Sequence, residues 1–341
     1  MSCQQQCVYE SGADGCHTYR IPSLLVTPTG TVLAFCEGRR ESASDFGNID
    51  MVLKRSTDGG RTWGPMRVLA DDGPNTMGNP CPIVDADSGD AVLLLCRNNE
   101  RAFAMRSSDD GLSFTSPEEI TRQVQPEDFA WTRIATGPGN GIRMSTGRLV
   151  APVWYMAGKM GEPSQEYRSG AIFSDDGGHT WAAGNAVPAK YKDCNECEIV
   201  ERSDGRLHVN MRTNSGNLAR AVAHSEDGGE TWSEPQLDDT LIEPVCDASL
   251  IHCIRPGSPQ EPVWLFANPA STQAREAMTV RASLDEGASW PFARMLHEGP
   301  SAYACLAQLA DGSVGCLYER GAQRPYEELT FAHFSLTWLL D

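Results

Sequence analysis

No apolar stretch of about 18 residues occurs in the sequence, so no segment reads as a membrane-spanning helix. The first residues, Met1-Ser2-Cys3-Gln4-Gln5-Gln6-Cys7, have neither the basic start nor the apolar centre of a secretory leader. A cytoplasmic protein is expected, or a secreted one if the sequence lacks its leader. Positive charge is scarce: 28 Lys and Arg against 46 Asp and Glu give a formal charge of −18. Nucleic acid and anionic membranes need a basic surface, which excludes both as partners. An anionic ligand would oblige the few Arg residues to gather in one pocket. Linkers rich in Pro, Gly and Ser are missing, as are low-complexity tracts and long helical periodicity. Although 341 residues would suffice for two average domains, one continuous unit spanning 1–341 is expected.

Metal and redox signatures are equally thin. The 7 His residues show no ligand spacing, and Cys194-x-x-Cys197 lacks both a second pair and a His partner. No metal and no cofactor is expected. Gly137-Pro138-Gly139-Asn140-Gly141 lacks the Gly-Lys-(Ser/Thr) ending and the following helix of a phosphate-binding loop. Most of the 12 cysteines, Cys36, Cys96 and Cys316 among them, read as small strand-core residues in a reducing compartment. In a secreted chain, disulfides among Cys3, Cys7 and Cys16 are the alternative.

What the chain does have is one phrase written five times, Ser-x-Asp-x-Gly-x-(Ser/Thr)-(Trp/Phe), starting at Ser56, Ser107, Ser174, Ser225 and Ser283. Each copy follows a short apolar run such as Met51-Val52-Leu53. Asp and Ser oxygens accept turn N–H groups, Gly permits positive φ, and the closing aromatic packs back on the strands, so each copy predicts a tight turn. Asp58, Asp109, Asp176, Asp227 and Asp285 are therefore turn-builders, and Trp63, Trp181, Trp232 and Trp290 plugs between strands. A spacing of about 57 residues is the period of a four-stranded blade. Strands are predicted at 31–36, 91–96, 148–154, 207–212, 263–267, 313–318 and 329–334. The expected fold is all-β, a six-bladed β-propeller of four-stranded antiparallel blades. One blade lacks the phrase, and the first blade is expected to close the ring with strands from both chain ends.

Tyr19-Arg20-Ile21-Pro22 precedes the first strong strand, and joined to the five boxes it resembles the sialidase (neuraminidase) family of exo-glycosidases, from His17 to about Phe334. The resemblance implies the following roles. Arg20, Arg212 and Arg275 clamp the substrate carboxylate, and Arg39 is a further binding Arg. Asp45, in Glu37-Gly38-Arg39-Arg40-Glu41-Ser42-Ala43-Ser44-Asp45, is the acid/base. Glu196 is the base for Tyr303, the nucleophile of Gly299-Pro300-Ser301-Ala302-Tyr303, and Glu319 steadies the first Arg. Met77 lines the N-acyl and glycerol side, and Tyr155 the aglycone side. Sialylated glycoconjugates are the implied partners; oligomeric state is not legible.

The chemistry is coherent without the family name. Three guanidinium groups hold a planar carboxylate by charge-assisted, often bidentate hydrogen bonds. A carboxylate on the anomeric carbon repels an anionic nucleophile, whereas a neutral Tyr hydroxyl with a Glu base avoids the clash; sialidases with a Tyr nucleophile depart in this way from the two-carboxylate scheme of most glycosidases. Each residue also has a plainer reading. A lone Arg is usually a surface ion pair; Asp50 and Glu41 compete with Asp45, and Glu198 and Glu201 with Glu196. Tyr303 could be an ordinary buried Tyr. Transfer of the sugar to another glycan or within the molecule, preference for a deaminated sialic acid, and a non-catalytic lectin remain alternative outcomes.

Overall fold

In the computed structural model, residues 3–191, 193–214, 216–255 and 262–341 are described. Strands follow one another with short turns, and nearly all pairing is antiparallel between sequence neighbours. Strand β1 (Gln4–Glu10) is followed by the sheet β2 (Thr18–Val26), β3 (Val32–Arg39), β4 (Ile49–Ser56) and β5 (Arg67–Ala70). The second sheet is β6 (Met77–Val84), β7 (Ala91–Arg97), β8 (Arg101–Ser107) and β9 (Glu118–Glu119). The third holds β10 (Arg133–Thr136), β11 (Ile142–Arg143), β12 (Leu149–Ala157), β13 (Glu166–Ser174) and β14 (Ala182–Ala183). The fourth is β15 (Cys194–Glu201), β16 (Leu207–Thr213), β17 (Ala219–Ser225) and β18 (Gln236–Ile242). A 7-stranded sheet completes the fold, built from β19 (Ser249–Ile254), β20 (Pro262–Pro269), β21 (Glu276–Ser283), β22 (Phe292–Gln308), β23 (Val314–Arg320), β24 (Glu328–Phe334) and β1. A short helix, α1 (Leu336–Leu340), is capped by Ser335, whose hydroxyl accepts from Trp338 N.

Each box lies just after the third strand in its group, on β4, β8, β13, β17 or β21, and turns the chain towards the fourth. The same bonds recur five times. The Ser hydroxyl donates to the Asp carboxylate at 2.7–2.9 Å. The Gly N–H donates to the Ser hydroxyl at 2.7–2.9 Å. The N–H of the closing Ser or Thr donates to the Asp at 2.8–2.9 Å. The Thr62 hydroxyl, then backbone N–H groups, hold the Asp58 carboxyl down at about 2. Gly60 has φ +82°, and a Cβ there would fall 2.2 Å from Phe331 of β24, so only Gly lets this turn seat against that strand.

The box is missing where its turn cannot exist. Strand β24 is the third of the C-terminal group, and its partner is β1, from the other end of the chain (Gln4 opposite His333, Glu10 opposite Glu328). No chain runs from the third strand to the fourth there, hence no box. Closure was expected in the first blade; it is the C-terminal group that takes a strand from each end.

All 12 cysteines are free, and all but Cys3 and Cys7 are buried, so the disulfide alternative is not taken up. Cys194 and Cys197 bond backbone carbonyls of Tyr191 and Val153, not each other.

One buried pair sets an acid limit. His208 of β16 meets His224 at 3.2 Å and lies edge-on to Trp264 with ring centroids 5.0 Å apart. Burial first, then charge on His224 and Arg202, pushes His208 down to about 3. The unfolded chain binds that proton near pH 6.5, so stability is complete above 6.5 and declines as pH falls towards 3. The full decline is on the order of 3–5 kcal/mol. Denaturant titrations over this range should show the decline, and His208→Gln should flatten it; equal slopes in both proteins would rule the His pair out as the cause.

Candidate active site

Arg20, Glu196 and Tyr303 all sit where strand register breaks. The β2/β3 pairing shifts between Arg20 and Ser23, β15/β16 between Cys194 and Cys197, and β22/β23 between Ser301 and Ala304. A bulge inserts an extra residue and re-aims its side chain, which is how a strand can present a polar group to a pocket while its neighbours stay in the core. Ile21, next to Arg20, has φ 59°, unusual for a β-branched residue and held by its N–H donating to Glu319 at 2.9 Å.

Tyr303 is the centre of the arrangement. Its hydroxyl donates to Glu196 in a very short hydrogen bond and accepts from Arg212 Nη1 at 3.0 Å, while Arg212 Nη1 also bonds Glu196. The guanidinium carbon of Arg20 is 4.9 Å from the Tyr303 ring centre and that of Arg275 is 5.6 Å from it. Three arginines from distant parts of the chain thus surround one phenol. Burial, then the Glu196 charge, pushes the Tyr303 hydroxyl well above the ordinary tyrosine range, and the three arginines offset this only partly. The hydroxyl therefore rests neutral, hydrogen-bonded to a carboxylate.

Glu319, fully buried, receives four donors: Arg20 Nε at 2.9 Å and Nη2 at 3.2 Å, Ile21 N at 2.9 Å and Tyr303 N at 3.0 Å. One carboxylate thus ties the first arginine to the tyrosine backbone. Arg275 donates to Tyr326 Oη at 3.0 Å and to the Val245 carbonyl at 2.9 Å. Arg39 is gripped by Glu37 at 2.7 and 3.0 Å, and bonds the Ala43 carbonyl at 2.7 Å. Its Nη1 also meets Asp45 at 2.8 Å, and Asp45 stands 3.5 Å from Arg20. Asp45 lies at the rim, its side chain 68% exposed.

The competing carboxylates go elsewhere. Asp50 is buried in an ion pair with Arg40, and Glu201 accepts from Ser145 N and Oγ at 2.7 and 2.6 Å. Glu41 is exposed. Glu198 is buried with one oxygen unpartnered, and burial first, then the Asp247 charge, pushes its carboxyl well up.

Two expected pocket residues pack in core clusters. Met77 is 4% exposed and packs in a core cluster with Leu25, Met51 and Leu95, because β6 is buried on both faces along nearly its whole length. Tyr155 is fully buried, ring-stacked with Trp131 at 6.1 Å and packed in the core with Trp154 and Ile172. His17 is exposed; its ring bonds the Thr18 hydroxyl at 2.7 Å and its N–H donates to the Arg39 carbonyl at 2.8 Å.

Sequence reasoning missed Tyr326 and Asp247. Tyr326 touches two of the arginines, and Asp247 is buried beside Glu196, whose charge, after burial itself, pushes the Asp247 carboxyl up. Tyr326 sits in a loop between β23 and β24, and no local spacing distinguishes it from any surface Tyr. Among the described residues no group of three or more His, Cys, Asp or Glu could hold a metal ion.

Comparison with known proteins gives one consistent answer. Residues 30–316 match the model of the BNR repeat-like domain. The chain is 32% identical to a sialidase of Micromonospora viridifaciens, over 96% of this chain and 53% of the relative, so it spans about half that protein's length. It is 30% identical to human sialidase-3, covering 93% of this chain and 89% of the relative. The solved Hadza microbial sialidase Hz136 superposes with a TM-score of 0.87 at 32% identity, covering 98% of this chain and 69% of that one.

Proposed function

The chain belongs to the sialidase family, and from that premise we propose that it is an exo-α-sialidase that removes terminal α-linked sialic acids from glycoconjugates with retention of configuration. The observation that carries this reading is the Tyr303 hydroxyl bonded to Glu196 and Arg212 inside a ring of three arginines.

In this reading Arg20, Arg212 and Arg275 take the sialoside carboxylate, and Arg39 binds beside the acid. Tyr303 passes its proton to Glu196 as the phenolic oxygen bonds the anomeric carbon. The glycosidic C–O bond breaks, and its oxygen takes a proton from Asp45. Asp45, now a carboxylate, takes a proton from water; the hydroxyl replaces Tyr303 at the anomeric carbon, and Tyr303 recovers its proton from Glu196. Two inversions give net retention. Because the hydroxyl rests neutral, no phenolate confronts the substrate carboxylate before the proton moves.

The fold behind this site is read as a closed six-bladed propeller. Strand β22 serves two blades: Phe292 to Pro300 pair with β21, and Ser301 to Gln308 with β23, which divides the 7-stranded sheet into two groups of four. Strand β2 packs on β6 and β22, and β12 on β6 and β15; β15 packs on β19, and β19 on β22. A cavity of about 370 Å³ is lined by Leu24, Ile83, Ile142, Val200, Leu250 and Leu306, one from each group, as a common axis requires.

The test is hydrolysis of a fluorogenic α-sialoside with the products followed by NMR. First-formed α-sialic acid, with turnover unaffected by chelator, is the expected result. Initial release of β-sialic acid would refute retention, and an anhydro sugar would assign intramolecular transfer instead.

A further inference from the structure

The three arginines pose an electrostatic problem that Glu319 solves for one of them. Arg20 has a bidentate carboxylate partner, whereas the hydrogen bonds described for Arg275 go to neutral oxygens, Tyr326 Oη and the Val245 carbonyl. Both cations approach the same Tyr303 ring, at 4.9 and 5.6 Å, and like charges in a buried site repel. Something must hold them together before a substrate carboxylate arrives. Tyr326 touches both: its ring face lies 4.1 Å from the Arg20 guanidinium carbon, and its hydroxyl oxygen accepts from Arg275 at 3.0 Å. The negative π face and the oxygen lone pair each meet a cation with electron density.

The loop carrying Tyr326 is built to be rigid. Glu327 accepts from the N–H groups of Ala322 at 2.9 Å, Gln323 at 3.1 Å and Arg324 at 3.0 Å. A Cβ on Gly321 would fall 2.1 Å from the Arg324 carbonyl oxygen, so the loop can close only on Gly. Pro325 fixes the backbone just before Tyr326. Ser11, next to β1, clips the loop from outside: its hydroxyl donates to the Tyr326 carbonyl at 2.8 Å and its N–H to that of Glu327 at 3.0 Å.

We propose that Tyr326 is a positioning residue for carboxylate recognition, holding Arg20 and Arg275 at the spacing that receives the substrate carboxylate, on a loop set by Glu327 and clipped by Ser11. The assignment rests on the sialidase reading above. Arg20 lies over two aromatic rings and Arg275 is tethered to one of them, so little side-chain freedom is left to lose on binding. Tyr326 acts through the arginines and makes no bond to the reacting atoms.

The experiment compares native protein with Tyr326→Phe, Tyr326→Leu and Glu327→Gln, using KM and kcat on a fluorogenic α-sialoside and calorimetric affinities for sialic acid and its methyl ester. Tyr326→Phe keeps the ring over Arg20 and loses the bond to Arg275. It should raise KM about 5–10-fold with kcat within about 3-fold. Tyr326→Leu loses both contacts and should weaken sialic acid binding roughly 30–100-fold. Glu327→Gln, remote from substrate, should fall between them. The methyl ester has no carboxylate to lose, so the acid-to-ester preference should shrink in step. An unchanged preference in Tyr326→Phe and Glu327→Gln, both melting like native, overturns the assignment even if Tyr326→Leu fails to fold. A native protein that does not prefer acid over ester overturns the carboxylate clamp itself.

Discussion

Tyr303→Phe is expected to lower kcat roughly 10²-fold or more on any α-sialoside while leaving KM within a few-fold of native. The substitution removes one oxygen and keeps the ring that Arg20 and Arg275 approach at 4.9 and 5.6 Å, so the cationic pocket survives. Glu196 and Arg212 remain bonded to each other, so no buried charge is stranded. The proton transfer to Glu196 and the covalent bond to the sugar are both lost. Binding of sialic acid by calorimetry should therefore match native to within about 3-fold while single-turnover release of the aglycone collapses. Near-native kcat in the Phe variant would dismiss Tyr303 as nucleophile and leave its burial as ordinary core packing.

That prediction depends on groups whose legibility in the sequence differed. The boxes were readable because their bonds are local: in Ser56 to Thr62 every partner is within a few residues, so the motif contains its own geometry. Arg20 lies hundreds of residues from Tyr303 and Glu319, and in the sequence only the family resemblance joins them. Which group pairs strands from both chain ends is not legible in the order of the boxes; the structure pairs β1 with β24. Met77 and Tyr155 were expected at the pocket and lie in core clusters. Alternation tells exposed from buried on an outer strand, but β6 and β12 are buried on both faces, so a large apolar side chain there has no sequence mark separating core from pocket. Register breaks are invisible too, and they let Arg20, Glu196 and Tyr303 depart from the pattern of their strands. Tyr326 belongs to the same class, because its importance arises from a loop folding over two arginines.

Glu319 should be the most damaging single carboxylate to neutralise, in stability as well as in rate. It is 0% exposed and accepts from Arg20 twice, from Ile21 N and from Tyr303 N. Glu319→Gln nearly preserves volume but supplies one amide group that donates, so at least one of the four donors faces another donor, and Arg20 loses its counter-charge. Breaking a buried pair by removing one partner costs about 3–5 kcal/mol, because the remaining charge stays desolvated. At about 2–4 °C for each kcal/mol, the melting temperature should fall on the order of 10 °C. The loss in kcat/KM should exceed that of an Arg20→Lys variant, since Lys retains a charge opposite the carboxylate, whereas Glu319→Gln also releases the backbone of Tyr303. Arg20→Lys should then lose mainly KM, through the bidentate fork that Lys cannot form. If Glu319→Gln melts within about 2 °C of native, the four donors have found other acceptors; a carboxylate that joins the first arginine to the tyrosine cannot be so easily spared.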